Sequence, residues 1–436
     1  MIYAVYLLCT KIFLFKKMIQ TNICILGAGP AGTAAALKLS RMGIACTLVD
    51  KAVFPRDKIC GDGISHRVVD ILHKWVDPSV LERFVASKEI HVDSWGLMIE
   101  GTKKNGFEIE YKPYSDKTTE TPTGFVCKRR EFDNFLVEEV RLRKNINFIE
   151  NTELTDFQRI TSENTEGWLL TDKIKTVQIE AKLLIVADGA HSRFARKIGG
   201  IELDPKHNMA SVKAYYKGVT DFHADNYLEF YFLKNFLPGY FWIFPLPNGE
   251  ANVGIAIVSE DVSKRKLNLK KCLEEVIETT PKFKERFKNA SLVGEVQGFG
   301  LPLGSKKRQL SGNGYMLTGD AASLIDPLTG EGIANAILSG AVAAEQAVKC
   351  LEKNDFSAAI LRGYDERIYR MRGQEFRMSY WLQRQFRREW FFNSLTWMIS
   401  KNKQVARTFA YVFNDVNLKK QLWSPSFWWK LVTNKA

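Results

Sequence analysis

The sequence predicts an α/β fold, α+β when taken whole: a parallel sheet flanked by helices, an inserted antiparallel sheet and a helical C-terminal region. Three observations predict it. Asn22–Leu26 is an apolar run that leads through a glycine-rich turn into an alanine-rich helix and a second apolar run, Ala45–Val49. Two more apolar runs ending in turn residues, Leu183–Ala187 and Gly314–Thr318, lie far downstream. Between them Met209–Tyr216, Leu228–Phe232, Tyr240–Phe244 and Ala251–Val258 read as strands bounded by turn residues, as in an antiparallel sheet.

A short, continuous apolar run bounded by turn signals suits a parallel strand buried on both faces. The first such run enters Gly27-Ala-Gly29-Pro-Ala31-Gly32, and the helix follows from about Thr33 to Arg41. Gly27 makes the tight turn, Gly29 lets the backbone approach a pyrophosphate, and Gly32 lets helix pack on strand. The helix N-terminus then offers unpaired N–H groups to phosphate charge. Asp50 ends the second strand, where a carboxylate can bond ribose hydroxyls. This is a complete Rossmann-type dinucleotide-binding unit.

The later segments choose the dinucleotide. Asp188-Gly189-Ala-His-Ser192-Arg193 follows one strand, and Gly319-Asp320 follows the other. Asp326-Pro327-Leu-Thr-Gly330-Glu-Gly332-Ile333 then precedes a small-residue helix. An NAD domain would be contiguous; these pieces are dispersed. The set resembles the flavoprotein class typified by p-hydroxybenzoate hydroxylase, in which an early GxGxxG, a middle DGxxSxxR and a late GD motif build one FAD site. Asp188, Gly189 and Ser192 match the middle motif, with Arg193 and Arg196 near its last position. The resemblance implies that Asp320 bonds the ribityl or pyrophosphate region. It implies that Pro327, Gly330, Gly332 and Ile333 lie near the flavin pyrimidine, where N–H donors stabilise the anionic reduced ring. It also assigns Arg129, at the start of a helix, to the cofactor, together with Ala31, Lys51, Arg56 and Gly61.

Two segments narrow the family. Lys58-Ile-Cys60-Gly61-Asp-Gly follows the second strand region, and Tyr240-Phe-Trp242-Ile-Phe244-Pro lies in the inserted sheet. They resemble the K-x-CG segment and YxWxFP motif of the geranylgeranyl reductase family, with similarity from about Met18 to about Gly373. Tyr240, Trp242 and Phe244 project from one face of their strand, a wall for an apolar substrate or a core face packed on a helix. Arg56 and Lys58 sit close to Cys60 in sequence, and cationic neighbours make a thiol a better acid. The resemblance implies hydride transfer from reduced FAD to an isoprenoid C=C bond. An isolated alkene is not electrophilic, so a proton must arrive as well, from Cys60 or Tyr240 in a dry site beside Trp242. No second GxGxxG follows a strand, so NADPH docks transiently or another reductant serves.

The expected organisation follows. Residues 18–85, 125–200 and 299–375 form the FAD-binding domain, 86–124 and 201–298 the substrate domain, and 376–436 a basic aromatic helical tail. Residues 1–17 are expected to be a non-native or flexible extension before a start at Met18. Their apolar run is too short to span a bilayer and lacks the marks of a signal peptide.

Composition bounds the rest. With 436 residues, 45% hydrophobic and 25% charged, the chain is globular and neither fibrous nor disordered. Seven cysteines without a CxxC pair suit a reducing cytoplasm, and no metal site is expected. The net charge is +13. From Tyr380 onward, ten Lys or Arg face only Glu389 and Asp415, among six tryptophans: Trp381, Trp390, Trp397, Trp423, Trp428 and Trp429. That mixture predicts peripheral contact with an anionic membrane on its inner face, with a helical cap and solvated basic surface as the plainer alternative. Nucleic acid is not expected, since no recognition motif accompanies the charge. Competing activities on the same fold are an FAD-dependent aromatic monooxygenase and a flavin-dependent halogenase. The halogenase motif WxWxIP differs from this chain at Tyr240 and Phe244. A binding protein that keeps FAD structurally would lack a reductant.

Overall fold

The structure, a computed structural model, describes residues 17–103, 106–110, 122–162 and 165–401. The extension expected over 1–17 lies outside them except for Lys17, which is already the first residue of a strand.

The expected unit is formed by β1 (Lys17–Leu26), α1 (Pro30–Arg41) and β2 (Cys46–Val49). Then come β3 (Gly63–Ile64), α2 (His66–Ile71), a π-helical turn at Leu72–Val76 and α3 (Pro78–Ala86). Next are β4 (His91–Ser94), β5 (Gly96–Glu100), β6 (Gly106–Glu110), β7 (Gly124–Cys127) and α4 (Arg129–Arg141). The chain returns to the first sheet with β8 (Ile146–Ile149), β9 (Leu154–Ser162), β10 (Thr165–Asp172) and β11 (Val177–Val186), followed by α5 (Arg193–Lys197). The insertion supplies β12 (Asn208–Lys217), β13 (Leu228–Tyr231), β14 (Tyr240–Leu246) and β15 (Glu250–Val258). Helices α6 (Ser259–Lys264), α7 (Leu269–Thr279) and α8 (Pro281–Arg286) lead to β16 (Ser291–Pro302). Strands β17 (Ser311–Gly312) and β18 (Tyr315–Leu317) precede α9 (Ile333–Lys353), α10 (Ala358–Gln385) and α11 (Glu389–Lys401).

The first sheet runs β17-β18-β11-β1-β2-β8, parallel from β18 to β8, with β9 and β10 added antiparallel on β11. Its centre is apolar because both faces are covered: Ile23, Cys24, Ile25, Leu183 and Leu184 are fully buried. Helix α1 presents Ala34, Ala35 and Ala36 to this core. It packs closely on α9, where a Cβ at Gly340 would lie 2.1 Å from the Ala31 carbonyl oxygen. Small residues on both helices therefore set how closely the two helices approach.

The second sheet runs β16-β12-β15-β14-β13-β5-β6, antiparallel except between β13 and β5. Alternation gives it two faces. Phe241, Ile243, Val253 and Ile255 pack with Leu273 of α7 and Phe283 of α8. Each such side chain contributes about 1.5–3 kcal/mol on burial. Tyr240, Trp242 and Phe244 face the other way, into a separate apolar cluster with residues of α10 and α11.

Strand pairing cuts across the expected domain limits. β4 and β7 join β3 in a small third sheet, whereas β5 and β6 extend the second. β16 continues to Pro302, and α10 runs through the limit at 375. Among the described residues no helix is long and apolar enough to cross a membrane.

Candidate active site

The phosphate turn is shaped by contacts that exclude side chains. Gly27 has φ +96°, and a Cβ there would sit 2.5 Å from the Ala187 carbonyl oxygen. A Cβ on Gly32 would lie 1.8 Å from the Gly27 carbonyl oxygen, so α1 can begin here only with glycine. Asp50 accepts hydrogen bonds from the Ala28 N–H at 2.6 Å and the Ala52 N–H at 2.8 Å. It braces the turn, and each oxygen keeps a lone pair for a ribose hydroxyl.

A single cavity of about 790 Å³ starts at this turn. Gly27, Gly29, Ala31, Asp50, Lys51, Arg56, Gly61, Arg129, Asp188, Gly189 and Asp320 all line it, as do Gly330, Gly332 and Ile333. Gly32 acts from behind, through packing. Pro327 is the exception: it is buried off the cavity, and its carbonyl accepts from Gln383 of α10. The loop presents its following residues to the cavity instead.

Charge is paired along the cavity. Arg129 is 6% exposed, so it is no surface ion pair; it donates to Asp133 at 2.7 and 2.8 Å. Arg56 donates to the same carboxylate at 2.7 Å. These two guanidinium groups hold the Asp133 carboxyl below the usual carboxylate range against its burial. Lys58 lies 3.7 Å from Asp320 and 3.9 Å over the Phe299 ring; desolvation pulls its ammonium down.

Cys60 lies half-buried on the cavity wall, with the Arg129 guanidinium against it. Next to its loop lies a residue that sequence reasoning missed. Asp62 is fully buried with φ +66°. It accepts from the Arg129 N–H at 3.1 Å, the Tyr215 hydroxyl at 2.8 Å and Asn252 Nδ2 at 2.7 Å. Asn252 Nδ2 also donates to the Cys60 carbonyl at 2.8 Å, while Asn252 Oδ1 accepts from Trp242 Nε1 at 2.9 Å. Burial pushes the Asp62 carboxyl up to about 6, against the lowering by these donors and nearby Lys213.

Register explains the aromatic wall. Trp242 pairs with Gly254, and Gly254 with Lys213, across β14, β15 and β12. A Cβ on Gly254 would lie 2.3 Å from Trp242 Cζ2, so the indole lies flat across that glycine. Tyr240 donates its hydroxyl to the Thr329 carbonyl at 2.6 Å, and burial pushes its phenol up. A Cβ on Gly330, φ +72°, would lie 2.6 Å from that hydroxyl. Tyr240 thus props the loop at Gly330.

Beyond the wall the cavity becomes an apolar sleeve. Leu97, Ile99, Phe107, Phe230, Phe244 and Leu301 line one side. Met378 and Leu382 of α10, Phe386 just after it, and Phe392, Leu395 and Ile399 of α11 line the other. An isolated glycine inside a strand pattern marks a close approach, so Gly254 was findable. Asn252 and the sleeve face of α11 carried no local signal.

The FAD binding domain model matches residues 20–371. The chain belongs to the FAD binding domain family. It is an FAD-dependent oxidoreductase of geranylgeranyl reductase type. It is similar to digeranylgeranylglycerophospholipid reductase 1 of Methanosphaera stadtmanae, 29% identical over 80% of each chain. The Methanosarcina acetivorans digeranylgeranylglycerophospholipid reductase is 30% identical over 81% of this chain and 80% of its own. A menaquinone reductase of Mycobacterium tuberculosis is 29% identical over 75% of this chain and 76% of its own. In fold it is similar to a geranylgeranyl bacteriochlorophyll reductase-like protein of Thermoplasma acidophilum (TM-score 0.75, 24% identity, 93% of this chain and 99% of that one). A flavin-dependent brominase shares the fold at TM-score 0.70 and 21% identity, over 91% and 95% of the two chains. The cradle fits FAD: glycine backbone at a helix N-terminus for pyrophosphate, the Asp50 carboxylate for ribose, and an apolar wall for the ring.

Proposed function

We propose that the protein reduces C=C bonds of an isoprenoid chain, on a geranylgeranyl lipid or a polyprenyl quinone. The observation that carries this reading is the continuity of the cavity. Its dinucleotide end opens past Cys60 and Trp242 into a sleeve of aliphatic and aromatic side chains from β5, β13, α10 and α11. Such a sleeve suits a long hydrocarbon and excludes water. The names of the relatives favour the same substrates.

Bound and reduced, FAD supplies a hydride. The chain's own residues supply the rest. Gly27, Gly29 and the start of α1 would hold the pyrophosphate, with Lys58 and Asp320 beside it. Cys60 is the proton donor to the alkene. Tyr240, the other candidate, has its hydroxyl committed to Thr329 and a phenol pushed up by burial. The Arg129 guanidinium lies against Cys60, on the side of the cavity from which the proton is given. Trp242 orients the chain across the wall. NADPH or another donor reduces the flavin by transient docking. Helix α11 rests on an anionic bilayer, from which the substrate enters the sleeve.

The test is a mass spectrum of a geranylgeranyl lipid and of menaquinone after anaerobic incubation with reduced enzyme, with an air-exposed control. Hydrogen pairs gained without oxygen are the expected result. Cys60→Ser keeps its flavin and loses roughly 10²–10⁴-fold in rate, the usual weight of a positioned acid. Oxygen incorporated into an aromatic compound in air, with no anaerobic gain, would overturn the reading.

A further inference from the structure

Two residues from Cys60, the acid of the proposed reaction, lies a fully buried carboxylate, Asp62. We infer that Asp62, acting as the carboxylate, is the positioning residue that ties the Cys60 loop to the aromatic wall. The inference rests on the role of Cys60 proposed above. One carboxylate joins three elements to the loop: the first N–H of α4, the Tyr215 hydroxyl of β12 and the Asn252 amide of β15. Asn252 then reaches both the Cys60 carbonyl and Trp242. The group expected to give the proton and the group expected to orient the chain are thus set by the same short network.

The network works only with an acceptor at its centre. Three donors converge on the ionised carboxylate, which can accept them all. The Arg129 N–H and Asn252 Nδ2 can only donate, so a protonated Asp62 must either reverse the Tyr215 hydroxyl or lose one of these donors, and the loop loosens. Burial favours that protonation, pushing the carboxyl up to about 6. The facing groups are known on each side. Lys213 and Tyr215 face it from β12 and Cys127 from β7, while Arg129 of α4 meets it through its backbone N–H; Asp57 and Cys60 act on Lys213 and Tyr215 in turn. Lys213, 2% exposed, also lines the cavity and favours the charged form. As pH falls through about 6, the carboxylate takes a proton and the clamp opens, so turnover falls on the acid side.

Asn adopts positive φ readily, so Asp62→Asn changes the charge and not the backbone. The experiment uses the FAD-loaded full chain and two readouts. The first is kcat against pH. The wild type should show an acid limb near 6, absent from Asp62→Asn, whose kcat at pH about 7.5 should lie roughly tenfold lower. Tyr215→Phe removes a donor to the charged form and keeps the carboxylate, so its limb should move to higher pH. The second readout needs no substrate: the alkylation rate of Cys60 by iodoacetamide, followed by peptide mapping. It should rise several-fold in Asp62→Asn at fixed pH. Tyr215→Phe carries the test if Asp62→Asn fails to fold. Equal Cys60 alkylation in wild type and variants, or an acid limb at the same pH in Tyr215→Phe, would overturn the inference. Faster alkylation in a protein that reduces no isoprenoid would support the clamp and sink only the proposed activity.

Discussion

The two ends of the cavity are built on opposite principles. The phosphate turn is a matter of missing atoms: Gly27 and Gly32 leave space that backbone fills, and Asp50 closes the unit from the next strand. The Cys60 end is a matter of paired polar atoms. Its bonds join residues 192, 190 and 153 positions apart in sequence. The first tolerates no added carbon, at Gly32 because of the turn itself and at Gly27 because of the end of β11. The second is assembled by the tertiary fold and tolerates no lost partner, because an unsatisfied buried group costs about 1–3 kcal/mol.

The sharpest way to break that contrast is to add a side chain at the phosphate turn. Gly32→Val must move α1 away from the Gly27 carbonyl, and through α1 disturb its contact with α9. The expected cost exceeds about 4 kcal/mol, exceptional for one substitution. The purified protein should lack the visible absorbance of flavin and melt earlier; a yellow protein of unchanged Tm would refute the account. A smaller effect is expected from Gly254→Ala. Its Cβ would meet the Trp242 indole and, at 2.4 Å, the Val212 carbonyl. FAD should stay bound, because the cradle is untouched, while kcat/KM for isoprenoid reduction falls by about 10²-fold through misplacement alone. Retained activity with unchanged tryptophan fluorescence would show that the indole does not need that flat seat.

Legibility in the sequence followed the same divide. Gly27, Gly29, Gly32 and Asp50 sit at fixed spacing within one β-α-β unit, so the turn they build could be read directly. The aromatic wall was visible as alternation in Tyr240, Trp242 and Phe244, yet what each hydroxyl and indole bonds was not. Tyr240 looked as suitable an acid as Cys60 until Thr329 was placed 2.6 Å from it. Asp62 sits within the Cys60 segment, where the sequence does not distinguish it from a turn residue, since its partners come from α4, β12 and β15. Pro327 was assigned to the cofactor with its loop, and pairing of that carbonyl with α10 turns it away.

The gentlest test concerns the far side of the sleeve, where α11 has two unlike faces. Phe392, Leu395 and Ile399 recur on its inner face and line the cavity. Trp390 and Trp397, 65% and 56% exposed, lie on another face of the same helix. Tryptophan left in water by a helix that lines an apolar cavity suits a bilayer interface, where an amphipathic ring has both an apolar and a polar neighbour. Arg387 is paired with Asp261 at 2.9 Å, while Arg384 and Arg388 are exposed and better placed to meet anionic lipid. Trp423, Trp428 and Trp429 lie outside the described residues. Replacing both Trp390 and Trp397 by alanine should weaken flotation with anionic vesicles by about tenfold. Neither residue lines the cavity, so flavin content should be unchanged. Binding that persists undiminished in the double variant, or a wild type that ignores anionic vesicles, would return α11 to the role of a cap. The sleeve would then have to receive its lipid from solution.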